Sequence, residues 1–146
     1  MDTATAQEAY ANLVKRHLSP AFRDRGWKGS GGRYQFPSDT HWIQAGLQSS
    51  SWNDRDHVRF TMNLGIVSRA GWAEMVTAGR ASHDAPNANV HFGAPADGAR
   101  LGGLASDTSR DEWFEVTPKT DLVELAKKVM DDFDRFAQPW FAEREV

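Results

Sequence analysis

His41-Trp42-Ile43-Gln44-Ala45-Gly46-Leu47-Gln48, running on through SSSWNDRD (49–56) into HVRFTMNLGIVS (57–68), is the stretch whose reading decides the fold. Val58, Phe60, Met62, Leu64 and Ile66 alternate with Arg59, Thr61, Asn63, Gly65 and Val67, which is the two-residue repeat of a half-buried strand. The preceding run repeats it, with Ile43, Ala45 and Leu47 on one side and Trp42, Gln44, Gly46 and Gln48 on the other. Ser49 to Asp56 is polar, rich in turn formers and too short for a helical crossover, so the two strands pair antiparallel. One face of this hairpin is apolar. The other carries Gln44, Gln48, Arg59, Thr61 and Asn63, polar but with little charge.

The flanks read as cover for the apolar face. Thr5 with Glu8 makes a capping box, and Tyr10, Leu13, Val14, Leu18, Ala21 and Phe22 follow at helical spacing. Ser19-Pro20 predicts a break there, with a second short helix from Pro20 to about Arg25. Gly26 supplies a left-handed stop and Trp27 folds back as its apolar partner. Lys28 to Gly32 reads as a glycine-rich loop and Arg33 to Phe36 as a short strand.

Beyond the hairpin, Ala70 to Ala78 predicts a short helix stopped by Gly79. Arg80 to Gly103 reads as a long surface loop with an extended piece at Asn89 to Phe92. Leu101 to Leu104 and Glu112 to Val116 read as extended segments, with Trp113 and either Phe114 or Val116 reaching the core. Leu122, Leu125, Ala126, Val129, Phe133, Phe136 and Trp140 then recur at helical spacing, with Thr117 or Thr120 as cap, Pro118 in the first turn, and Pro139 kinking or ending the helix. The expected architecture is α+β: an antiparallel sheet of about four to five strands with the N- and C-terminal helices packed on one face, a single domain over 1–146.

Composition narrows the function. With 40% hydrophobic and 25% charged residues, the chain is neither disordered nor fibrous. No run approaches the ~20 apolar residues of a membrane span, and MDTATAQEAY lacks the basic and apolar regions of a signal peptide, so a cytoplasmic protein is expected. The absence of cysteine excludes disulfides, thiolate zinc sites and cysteine nucleophiles. A net charge of -3 argues against a nucleic-acid partner, leaving the basic N-terminal helix as the least supported binding surface. Charge is uneven, however. Residues 1–36 hold six basic and three acidic side chains, whereas 107–146 hold eleven acidic and six basic. Either the terminal helices complement one another, or the surface is dipolar and meets a charged partner.

The motifs, taken in order, resemble a known family. Pro20 to Trp27 is similar to its proline-containing turn and Gly-aromatic signature, and Gln48-Ser49 followed by Phe60-Thr61-Met62-Asn63-Leu64-Gly65 to its central Q-S and F-T-x-N-x-G pattern. Arg100-Leu101-Gly102 with Trp113-Phe114, and Gln138-Pro139-Trp140, resemble its later elements. The family is domain of unknown function 4304. The resemblance spans nearly the whole chain and implies an α+β fold with no assigned activity or catalytic residue. The segment Ala81 to Ala99 departs from the family pattern in length.

The common chemistries lack their signatures. Gly29-Ser30-Gly31-Gly32 leads into a strand rather than a helix, so it does not read as a phosphate loop, and no serine sits in G-x-S-x-G. His83-Asp84, His91 and Asp56-His57 are the plausible metal ligands, but they read as solvated loop residues, and neither metal nor cofactor is expected. The outer hairpin face remains: Trp42, Gln44, Gln48, Trp52, Arg59, Thr61 and Asn63 combine amides, aromatics and an arginine, the composition of an interaction patch for a protein or peptide partner. These groups otherwise bond the loops or face water. The catalytic alternative is a small enzyme in which Gln48 and Asn63 orient a polar substrate while His57 or His91 moves a proton.

Overall fold

The computed structural model describes residues 5–51, 53–81, 85–106 and 112–145. In chain order it holds α1 (Ala6–Asn12), a π-helical turn (Leu13–Leu18), α2 (Ser19–Asp24), β1 (Lys28–Ser30), β2 (Arg33–Phe36), β3 (His41–Ser49), β4 (Val58–Ser68) and α3 (Arg69–Thr77). There follow β5 (Asp97–Arg100), α4 (Leu101–Ala105), β6 (Phe114–Val116), α5 (Leu122–Asp132), a second π turn (Phe133–Ala137) and α6 (Gln138–Arg144). The fold is α+β. Its antiparallel sheet runs β1-β2-β3-β4-β5, with β6 beside the first residues of β4. Among the described residues no helix is long and apolar enough to cross a membrane.

β3 and β4 form the hairpin expected from their alternation, with Ile43 opposite Ile66, Ala45 opposite Leu64 and Leu47 opposite Met62. These side chains are buried in one cluster with Leu13, Leu18 and Phe22 from the N-terminal helices and Val129, Phe133 and Phe141 from the C-terminal ones. Each large apolar side chain so buried contributes roughly 1.5–3 kcal/mol of transfer free energy, which makes this cluster the main stabiliser. Phe22 lies on Tyr34 with ring centroids 4.0 Å apart. Trp27 folds back beyond Gly26, whose φ of 86° is the left-handed stop, to meet Phe22, Phe133 and Phe141. Arg25 joins Asp134 through two hydrogen bonds of 2.8 and 2.7 Å, so part of the charge asymmetry is helices complementing one another.

The other side of the sheet is not bare. Val67 alternates with Ile66 and belongs to a second cluster with Trp72, Met75 and Ala81, against which Trp42 and Phe92 pack. Besides the terminal helices expected over the apolar side, a further helix, α3, thus turns onto the outer one.

Local readings are corrected where a proline or glycine finds a tertiary solution. The chain does not break at Ser19-Pro20. A proline has no N–H and its ring collides with the carbonyl four residues back, and a wide turn with i→i−5 bonding makes room for it. Ser19 N–H accordingly donates to Val14 O, and Gln138 N–H to Phe133 O ahead of Pro139. Lys28 to Ser30 is a strand rather than a loop, closed on β2 by Gly31-Gly32 at φ of 64° and 87°, a turn that needs two positive φ values. The extended piece lies at Asp97–Arg100 instead of Asn89 to Phe92, and Leu101–Ala105 is helical. Asp121, not a threonine, caps α5 by accepting from Val123 and Glu124 N–H groups. Val116 is the residue of β6 that is fully buried, with Phe114 half-buried against Phe60.

Tyr10, packed on Phe60, has its hydroxyl pKa pushed up to about 12, chiefly by burial. The folded state thus binds the proton more tightly than the unfolded one. Its contribution is fully present below pH ~10 and is lost as pH rises toward ~12, about 2 to 3 kcal/mol in all. Urea titrations across that window are expected to show this alkaline loss in the parent chain and a shallower one in Tyr10→Phe.

Candidate functional site

The register places the outer-face residues in rows across the sheet. One row runs Ser30, Arg33, Gly46, Asn63, Arg100, and its neighbour Lys28, Gln35, Gln44, Gly65, Gly98. The central strands therefore carry a hydrogen where most strands carry a side chain, at Gly46 and again at Gly65. Glycine inside a strand marks a place where another backbone comes close. Here the segment 86–90 comes close, by the Asn89 side chain at Gly46 and by the Ala88 backbone at Gly65. A methyl group on Gly46 would stand 2.6 Å from Asn89 Oδ1, and one on Gly65 3.4 Å from Ala88 Cα.

This strap is held by amides. Asn63 Nδ2 donates to both Gln48 Oε1 (2.8 Å) and Asn89 Oδ1 (2.9 Å), and Arg100 Nε donates to Asn63 Oδ1 (3.2 Å). Asn89 Nδ2 in turn donates to Leu47 O at 3.2 Å, while Asn89 N–H donates to Asn87 Oδ1. Asn63 is 7% exposed, so these bonds satisfy polar atoms that have little access to water. The side-chain amide of Asn89 is thus recognised at its oxygen and its nitrogen together, as a peptide group would be.

The strap leaves two clefts. A smaller one of about 260 Å³ lies toward β4 and β5, walled by Trp42, Gln48, Asn63, Val67, Phe92 and Arg100. A larger one of about 630 Å³ lies toward β1 and β2, walled by Lys28, Arg33, Gln35, Arg69 and Asn87. Gln44 faces both. It reaches Gln35 Oε1 only at 3.5 Å, and Gln48 Nε2 has no partner among the described residues.

The residues singled out from sequence are partly brought together. Trp42, Gln44, Gln48 and Asn63 surround the smaller cleft, with Arg69 laid on the Trp42 ring 4.0 Å from its centroid. Thr61 is fully buried opposite Gln48, and its hydroxyl lacks a partner among the described residues. Arg59 is exposed near the hairpin tip opposite Glu115, away from either cleft. Trp52, His83 and Asp84 lie outside the described residues. His57 Nδ1 meets Glu115 Oε1 at 2.8 Å, yet neither lines a cleft; His91 is exposed on the rim of the smaller one. Asn89, Arg100 and the two glycines were missed by composition reasoning. The signal that finds them is glycine in the interior of otherwise well-formed strands.

Gly46→Ala is expected to cost about 1–3 kcal/mol by displacing the strap, and Asn89→Ala about 1–2 by removing its bonds. In denaturant melts the double variant should lose less than the sum, because either change alone already breaks the Gly46–Asn89 approach.

A family model described as Domain of unknown function (DUF4304) matches residues 18–143. No curated protein and no solved structure matches the chain.

Proposed function

The chain belongs to the DUF4304 family, a domain of unknown function, and from its geometry we propose a non-catalytic binding module whose outer hairpin face takes up a protein or peptide partner. The observation that carries this reading is the strap. A turn of the protein's own chain lies across Gly46 and Gly65 with the Asn89 side-chain amide bonded at both its oxygen and its nitrogen, so the face has room and amide partners for a stretch of polypeptide. Beside it Gln44 and Gln48 keep hydrogen-bonding capacity that a second segment would use, and Trp42 under Arg69 offers a flat, partly apolar wall. Arg59, and with it Trp52, would extend the surface toward the hairpin tip.

The catalytic alternative is the weaker reading. It needs a histidine and a carboxylate within hydrogen-bond reach of the amides, whereas among the described residues the bonded pair of that kind, His57 and Glu115, lines neither cleft.

Peptides selected from a random library on the immobilised chain, titrated into isotope-labelled protein, are expected to move the side-chain amide signals of Gln44 and Gln48 and the indole signal of Trp42. Gln44→Ala with Gln48→Ala should weaken such binding by about tenfold, the worth of two ordinary hydrogen bonds. Signal changes confined to the opposite, helical side of the molecule would remove the proposal.

A further inference from the structure

The larger cleft is basic although the chain carries a net charge of -3. Lys28 and Arg33 stand on its β1–β2 wall, both exposed. Neither has an ion-pair partner among the described residues, in contrast to Arg25, Lys127 and Lys128, each of which holds an aspartate. Arg69 closes the opposite wall, fixed by two hydrogen bonds of 3.1 and 2.9 Å to Ser38 O and by the Trp42 ring. Arg23 reaches the same rim, donating to Gly29 O at 3.3 Å. Asp39 is the one acid among the described lining residues. The cations are therefore in excess and not neutralised from within.

Their arrangement is spread rather than convergent. Lys28 pairs with Gln35, whereas Arg33 sits two residues along β2 from that position. One strand spacing and two residue rises separate their Cα atoms by roughly 8 Å. Same-side residues of an extended chain repeat every ~6.6 Å, close enough for flexible Lys and Arg side chains to meet successive ones. Between the cations lie Gln35 and Gln44, whose amides match a peptide backbone.

We propose that the larger cleft selects an acidic segment, with carboxylates at alternating positions of an extended peptide bound by Lys28 and Arg33 and guided by Arg69. This rests on the reading of the outer face as a peptide-binding surface and names the chemistry of its partner. The excess of basic side chains in residues 1–36 is in part this wall, while Arg25 of the same segment is held by Asp134.

The test uses the full chain and two dye-labelled peptides of equal length, one alternating Glu with Thr and one with Gln in place of every Glu, followed by fluorescence anisotropy at low and at high salt. The Glu peptide is expected to bind at least about tenfold more tightly at low salt, with the preference shrinking at high salt as exposed charges are screened. The double variant Lys28→Glu, Arg33→Glu changes only exposed positions and should abolish the preference while leaving the far-ultraviolet dichroism unchanged. Equal binding of the two peptides, or a preference that survives the double variant, overturns the acidic-segment inference and leaves the peptide-binding reading in place. Binding of neither peptide overturns both. Inorganic phosphate that binds at the cleft while neither peptide does would make it a small-anion site instead, which also overturns the proposal.

Discussion

The amide of Asn63 is the contact on which the outer half of this molecule depends. It stands on the central strand, 7% exposed, with both hydrogens and its oxygen engaged. Its partners come from three places far apart in the chain: Gln48 on β3, Asn89 on the strap and Arg100 at the end of β5. A buried amide left unsatisfied costs about 1–3 kcal/mol, so the strap and β5 are tied to the hairpin by a penalty as much as by an attraction. The geometry is available only because Gly46, directly opposite Asn63, has no side chain to hold Asn89 away.

The opposite half follows different physics. There the apolar side of the hairpin and the terminal helices bury their aromatic rings together, and non-directional burial tolerates many local arrangements. Two prolines sit well inside helical stretches without breaking them, each preceded by a widened turn. Continuity keeps Phe22 and Phe133, the large rings of the two helical stretches, in contact at 4.9 Å. Burial of those rings outweighs the modest strain of a wide turn.

The residues on which the family resemblance rests take on physical meaning in this frame. Gln48, Asn63 and Arg100 are one hydrogen-bonded set. Gly65 lies under Ala88, and a side chain on Gly102 would run into the backbone carbonyl of Glu112. The pattern reads as a requirement for close approach and amide pairing on the outer face, with Trp27 and Trp140 belonging to the core.

By itself the sequence determined the α+β class, the central hairpin with its pairing, the helical ends, the Gly26 stop and the core membership of the alternating residues. All of these follow from local period and local chemistry: a two-residue repeat buries one face whatever surrounds it. Polar outer-face residues were also legible as a group, Trp42, Gln44, Gln48 and Asn63 among them. Tertiary structure alone decided that a strap from the long loop lies across that face, splitting it into two clefts and engaging Asn63, and that Thr61 is buried. It also decided that Pro20 and Pro139 are absorbed and that β5 begins at Asp97. The reason is the same in each case. The stabilising partner lies tens of residues away, where neither period nor propensity carries information, and only the folded chain brings Asn89 to the hydrogen of Gly46.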